Sequence, residues 1–334
     1  MDASNTRKRF VQQAAAAAAS TAALWPAIAR AQTPTLMRVS IPTVVTNSQN
    51  IMMTRLAATI EQRSGGRLKF EIYPNGQLAK QQASIDGLQT GVVDFTLQSA
   101  AFLEPFFPHV QAIDLPFLFK TRGVAERMLD GDIGNQLFEE MKSRGIQGVI
   151  WGTDGWREIE NSQRPISKPA DMRGMRIRIQ NAPVYVSMMR ALGATPVVID
   201  FAETYTAVSQ KTVDGLEIPV ATTAENKFYE VCKYMTLSNH VYNAAPLLMS
   251  KVKYDALAPD LQKIIMQSAK EIRSYWRTLR VEKDAEGLKE LKDKGMTITQ
   301  IDFPAFRKAM DPVYAEFREK IGGDFLDRVL KASG

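Results

Sequence analysis

The stretch Gly174-Met175-Arg176-Ile177-Arg178-Ile179, continued by Gln180-Asn181-Ala182-Pro183 and, beyond Leu192-Gly193, by Pro196-Val197-Val198-Ile199, decides how this chain is read. Met175, Ile177 and Ile179 alternate with Gly174, Arg176 and Arg178, the period of two expected of a strand with one buried face. Pro183 opens a helix that runs through Leu192, Gly193 ends it, and Pro196 to Ile199 forms a second strand. Strand, helix and strand in so short a span is the repeating unit of α/β domains. Two arginines, Arg176 and Arg178, share one face of the first strand.

The same alternation extends in both directions. Downstream, Phe201 to Gln210 reads as a helix and Val213 to Ile218 as a strand. Upstream, a strand at about 37 to 41 precedes a helix at 48 to 63, in which Met52, Met53, Leu56 and Ile60 recur at helical spacing before Gly65-Gly66. Leu68, Phe70 and Ile72 then alternate with charged neighbours up to Pro74-Asn75-Gly76, which predicts a third strand. A second set follows: a strand over Val92 to Leu97, one helix over Thr121 to Arg144, and a buried strand over Ile146 to Trp151. Thr236 and Pro246 to Met249 return the chain towards its first unit, a crossing expected of a hinged two-lobe protein. From Pro259 to Lys294 runs the longest helical pattern, with Leu261, Ile264, Ile265, Ile272, Trp276 and Leu279 near one stripe. At roughly 1.5 Å per residue it extends about 50 Å, longer than one lobe.

Composition narrows the function classes. A chain of 334 residues, 45% hydrophobic and 23% charged, is globular and long enough for two domains. A single cysteine, Cys232, excludes an internal disulfide and a four-cysteine zinc site, and the two histidines, His109 and His240, leave little for metal or acid–base work. His240 reads as a structural hydrogen-bonding group and Cys232 as a small buried hydrophobe. Dinucleotide, phosphate-loop and nucleophile-elbow motifs do not occur, so neither a cofactor nor a catalytic residue is nominated.

The first 31 residues read as a signal peptide. Arg7, Lys8 and Arg9 form a basic start, Ala14 to Ala23 with Leu24, Trp25 and Ile28 a short apolar run, and Ala29-Arg30-Ala31 a small-x-small cleavage site. Thr6-Arg7-Lys8-Arg9-Phe10-Val11 resembles a twin-arginine export motif with lysine in place of the second arginine. Arg7, Lys8, Arg9 and Arg30 against Asp2 carry +3 of the formal +6, so the remaining chain is only mildly basic. Its charges interleave, as in Lys289-Glu290-Leu291-Lys292-Asp293-Lys294, which argues for a solvated helix face and against nucleic-acid binding.

Gly174 to Ala182, Ala191-Leu192-Gly193-Ala194-Thr195-Pro196, Tyr205, Val213-Asp214-Gly215 and Lys227-Phe228-Tyr229-Glu230-Val231 resemble the solute-binding proteins of tripartite ATP-independent periplasmic (TRAP) transporters. The likeness includes Tyr73 to Leu78, Leu115 to Phe119 and the long helix, and so covers essentially the whole chain after the leader. It implies an α/β, periplasmic-binding-protein-like fold: two lobes joined by a hinge, a ligand enclosed between them, a long helix spanning both, and no catalysis. Lobe I would comprise 32–155 and 244–283, and lobe II 156–243 and 284–334. The implied function is a monomeric periplasmic receptor that captures a small organic acid and delivers it to two membrane permease subunits.

The resemblance also nominates residues. The family's signature arginine falls on Arg178, where a guanidinium would grip the ligand carboxylate with paired donors, a geometry lysine cannot supply. Arg157 falls where many members place a second ligand-contacting arginine; its alternative is a pair with Glu158 or Glu160. Asn181 lies in the same motif as Arg178, whereas Arg176 is expected to face solvent. Relatives with Asp-Gly-x-Glu-Asn-Pro place an asparagine in the cleft where this chain has Ile218, and sialic-acid binders carry a glutamate at the position of Ser99. With Trp156 and Phe201 nearby, these departures point to an aromatic or a short keto or hydroxy monocarboxylate. A sugar-acid or C4-dicarboxylate receptor, or a receptor reporting to a sensor kinase, is the alternative; a secreted enzyme finds no catalytic group.

Overall fold

The computed structural model describes residues 33–334, so the leader and its export motif lie outside the described residues. Nine strands form one sheet in the order β2-β1-β3-β8-β4-β7-β5-β6, with β9 beside β8. They are β1 (Thr35–Ser40), β2 (Leu68–Tyr73), β3 (Phe95–Leu97), β4 (Ile146–Asn161), β5 (Arg176–Ile179), β6 (Thr195–Val198), β7 (Gly215–Pro219), β8 (Tyr234–Ser250) and β9 (Thr297–Gln300). The parallel pairs β1/β2, β1/β3, β5/β6 and β5/β7 lie on the two flanks. Between them run two long antiparallel strands, β4 and β8, that serve both halves. The first part of β4 pairs with the last part of β8, which holds β3; the second part of β4 holds β7.

Each parallel pair is joined through a helix, as the sequence pattern requires. Helix α1 (Ser48–Arg63) links β1 to β2, capped by the Asn47 side chain accepting from Gln49 N. Helix α2 (Gln81–Thr90) precedes β3. The single helix expected over Thr121 to Arg144 is two, α3 (Arg122–Asp130) and α4 (Asp132–Lys142), with Gly131 extended between them. Their corner is so tight that a Cβ on Gly134 would lie 1.8 Å from the Leu129 carbonyl oxygen. Helix α5 (Pro183–Ala191) joins β5 to β6, and α6 (Phe201–Ser209) joins β6 to β7. Strand β4 runs on to Asn161, ten residues beyond the expected Trp151, because its second part is paired along both edges, by β7 and by β8.

After β7 come α7 (Val220–Glu225), α8 (Lys251–Asp255) and the long α9 (Pro259–Asp293), 35 residues. Leu261, Ile265, Ala269, Ile272 and Trp276 of α9 pack with Met52, Leu56 and Ile60 of α1 and with Val149 and Ile150 of β4. Leu291, near its far end, joins a separate core with Leu216, Ile218, Phe228, Cys232 and Met235. One helix therefore serves the cores of both halves, the α/β two-lobe arrangement with a spanning helix expected from the sequence. Where the cores meet, the buried Arg280 pairs with Asp154 (2.7 Å) and Asp284 (2.6 Å).

The chain closes with α10 (Phe303–Ala309), α11 (Asp311–Ile321) and α12 (Gly323–Ser333). Helix α11 packs on α5 and on the short turn of helix at Pro108–Asp114, and α12 on that turn and α3. The C-terminal helices thus touch segments read with the first lobe as well as the second. Among the described residues no helix is long and apolar enough to cross a membrane.

Candidate functional site

The cavity opens at the carboxyl ends of the parallel strands, where a sheet's connections leave a crevice. Pro42 and Thr43 follow β1, Ser99 follows β3, Gln180 follows β5, Phe201 follows β6, and Ile218 and Pro219 end β7. Gln49, Gln81, Asp154, Arg157, Arg178, Thr222 and Asn243 complete the lining. Together these residues line a small, narrow cavity.

Arg178, at the end of β5, is 1% exposed. Its Nε donates to the Ile199 carbonyl at 2.9 Å, while its Nη2 is buried without a partner. The Phe201 ring lies beside the guanidinium, 5.8 Å from centroid to Cζ. Burial away from water pushes its pKa down to about 10; Glu217 opposes the shift and Arg157 adds to it. A desolvated guanidinium with one nitrogen unpaired stabilises an anion placed against it.

Arg157 is equally buried but already paired. Its guanidinium grips the Glu217 carboxylate through Nε and Nη2, the second contact to Oε1 at 2.9 Å, and also donates to the Glu217 carbonyl. Its partner is therefore Glu217 across the β4/β7 ladder, not Glu158 or Glu160, which are buried elsewhere: Glu158 accepts from Ser238 N and Asn239 N, and Glu160 from Thr223 Oγ1. Burial would lower the pKa of Arg157, but Glu217 outweighs it and holds it above its ordinary value. Buried His240 contacts Glu217 through Nε2 (3.4 Å) and Ser238 through Nδ1 (2.8 Å), the structural role expected of it. Arg176 does not face solvent alone: its Nη2 reaches Asp214 Oδ1 at 2.8 Å, because Asp214 leads into the neighbouring β7.

With the Gln180 carboxamide turned so that its oxygen faces Arg157 (2.7 Å to Nη1), its nitrogen donates to Ser99 Oγ at 3.0 Å. Ser99 in turn donates to Asn243 Oδ1 at 2.7 Å. A polar chain thus crosses the cavity floor from β5 to β8.

Arg178, Arg157, Phe201, Ile218 and Ser99 are brought to one cavity; Trp156 and Asn181 are not. Successive strand residues point to opposite faces, so Trp156, next to Arg157, packs edge-on against Tyr242 (5.3 Å) in a different groove. Asn181, next to Gln180, is exposed. The sequence reading missed Gln180, Asp154, Asn243, Thr43, Gln49, Gln81 and Thr222. For Gln180 the signal was present, since it lies two residues beyond Arg178 on the same face; the others come from turns and helix starts, where no periodicity marks direction.

The profile of the family described as bacterial extracellular solute-binding protein, family 7, matches residues 44–320. The 2,3-diketo-L-gulonate-binding periplasmic protein YiaO of Escherichia coli K12 is 32% identical over 275 residues, 82% of this chain and 84% of that one. A solute-binding protein of Verminephrobacter eiseniae is 33% identical over 305 residues, 91% of each chain. Among solved structures, the sugar acid binding protein DctPAm of Advenella mimigardefordensis in complex with galactonate superposes with a TM-score of 0.88 at 31% identity, covering 90% of this chain and 98% of that one. A TRAP periplasmic solute-binding protein of Polaromonas bound to D-erythronate gives a TM-score of 0.86 at 29% identity, with 89% and 98% covered. The chain belongs to this family, the periplasmic solute-binding proteins of TRAP transporters, which are receptors for organic acids working with membrane permease components and not enzymes.

Proposed function

We propose that this receptor captures a short hydroxy or keto monocarboxylate, of the size and character of a linear sugar acid, and hands it to two permease subunits as a monomer exported by its leader, residues 1–31. Arg178 holds the carboxylate. The observation that carries this reading is the unpartnered, buried Nη2 of Arg178 in a cavity whose other walls are mostly amides and hydroxyls. Burying a hydroxyl without a partner costs roughly 1 to 3 kcal/mol, so Thr43, Gln49, Gln81, Ser99 and Asn243 favour a ligand that brings polar groups of its own. Phe201, Ile218 and Pro219 give it one apolar edge. This polar lining shifts the weight from an aryl acid to the hydroxy or keto acids, in keeping with the galactonate, D-erythronate and 2,3-diketo-L-gulonate of the similar proteins.

The lobes, 32–155 with 244–283 and 156–243 with 284–334, would hinge where the β4/β8 register shifts between Thr153 and Trp156. Contacts already cross the cleft from one side to the other: Asn47 Nδ2 to Glu225 Oε2 at 2.7 Å, and Lys80 Nζ to Glu203 Oε1. A ligand touching both sides favours the closed form.

Calorimetry on protein freed of bound ligand tests the reading, with galactonate, D-erythronate, pyruvate, benzoate, glucuronate and galactose as the panel. A hydroxy or keto acid should bind at least about tenfold tighter than benzoate or glucuronate, and neutral galactose should not bind. Tightest binding by benzoate would reverse the choice of acid, and equal binding by galactose would remove the carboxylate from the account.

A further inference from the structure

Thr222, like Arg178, is a residue of the cavity wall with a buried polar atom that has no partner among the described residues. It is 3% exposed, it lines the cavity with Arg178 and Ile218, and its Oγ1 is buried with no hydrogen bond. Its neighbour shows that the helix itself does not require this: Thr223 Oγ1 donates to Glu160 Oε1 at 2.8 Å and also reaches the Pro219 carbonyl at 3.2 Å. A threonine in a helix ordinarily satisfies its hydroxyl by bonding back to the carbonyl four residues earlier. For Thr222 that residue is Ile218, still in β7, and no such bond forms.

Thr222 stands four residues beyond Ile218, in the first turn of α7. The apolar edge made by Phe201, Ile218 and Pro219 therefore has one polar point on it, and a buried polar group left without a partner is destabilising unless a ligand or water supplies one. A site built around such a group rejects analogues that lack the matching polar atom more strongly than an apolar pocket rejects an extra methylene.

We infer that Thr222 is a specificity-determining residue that hydrogen-bonds a hydroxyl or keto oxygen of the ligand, while Arg178 holds the carboxylate. The inference rests on the proposed carboxylate reading and adds to it the group that selects oxygenated acids over plain fatty acids. Thr222→Val keeps the shape of the side chain and removes the hydroxyl, and Thr222→Ser keeps the hydroxyl.

The probes are D-erythronate, galactonate and the carbon-matched butyrate, titrated directly or in competition, on wild type, both Thr222 variants and Arg178→Ala, with thermal unfolding to show that each variant is folded. Thr222→Val should weaken the tighter of the two hydroxy acids by about fivefold or more and butyrate by less than about twofold, while Thr222→Ser stays within about twofold of wild type. Equal weakening of all three acids by Thr222→Val, or no weakening of any, overturns the role of Thr222 and leaves the carboxylate reading standing. So does a wild type that prefers butyrate. Unchanged binding in Arg178→Ala, or no binding of any acid to wild type, overturns the carboxylate reading and this inference with it.

Discussion

Arg157 and Arg178 line one cavity and are both 1% exposed, yet their electrostatic situations are opposite. Arg157 is compensated by Glu217 in a two-pronged pair, whereas among the described residues no carboxylate accepts from Arg178. Removing one partner of a buried pair strands the other charge, so Arg157→Ala should lower the free energy of unfolding by about 3 to 5 kcal/mol in urea. Arg178→Ala removes a cation that the protein itself leaves unpaired, so ligand-free stability should hold or rise while affinity for the bound acid falls several hundredfold or more. An Arg178→Ala protein that unfolds as readily as Arg157→Ala would show that Arg178 is structural. The sequence made the arginines legible because guanidinium chemistry and the family motif both pick them out. It could not tell the two apart, because the decisive partner, Glu217, lies 60 residues from Arg157 and meets it only across the β4/β7 ladder. Trp156 and Asn181 lie outside this cavity for a related reason: each adjoins a cavity residue, and a shift of one position reverses the face.

Elements with a regular period were legible almost to the residue, α1 at 48–63 and α9 from Pro259 among them, since a helix stripe needs nothing beyond local sequence. Strand β8, 17 residues from Tyr234 to Ser250, was caught only in fragments, because with both faces buried it carries no alternation and its identity depends on β4, β3 and β9. The break of β4 at its register shift has a local cause. Gly155 has φ +88°, and a Cβ there would lie 2.5 Å from Asp284 Oδ2 and 2.9 Å from Arg280 Nε. Both are side-chain atoms of the partly buried Asp154–Arg280–Asp284 cluster, so Gly155→Ala would strain the backbone and loosen the ion pairs under the proposed hinge. Urea unfolding should register a loss of about 1 to 3 kcal/mol. A variant as stable as wild type would mean that α9 gives way freely at Arg280 and that the cluster does not brace the strand break.

At the scale of the whole molecule the two sides of the cleft share a charge economy that makes stability depend on pH in a stated direction. Burial pushes Asp114 up to about 7, Glu158 to about 8 and Glu225 to about 7, with hydrogen bonds such as Asn47 to Glu225 only partly offsetting it. An acid whose folded pKa exceeds its unfolded value binds more protons when folded, so its contribution is full below about 4 and is lost as the pH climbs through 7 to 8. His240, lowered chiefly by burial, acts in the opposite sense: the unfolded chain takes up a proton below 6.5 and the folded one resists. Glu217, which Arg157 and His240 hold below its ordinary 4.5 against the effect of burial, and Asp214, lowered by Arg176 below 3.8, withdraw stability only as the pH falls through the acid range. The raised acids, to which burial also adds Glu104, Glu160 and Asp154, outnumber the one imidazole and leave a net decline as the pH rises, and the lowered acids, Glu217 and Asp214 among them, set the acid limit. The melting temperature at constant ionic strength should therefore peak at about pH 4 to 5, near the ordinary carboxylate range, and decline from there to pH 8. Glu225→Gln, which keeps an oxygen for the Asn47 amide and abolishes the titration, should flatten the alkaline decline. A melting temperature that rises steadily from pH 5 to 8 would mean that these carboxyl groups are already ionised in the folded protein, hydrated by water that enters the cleft.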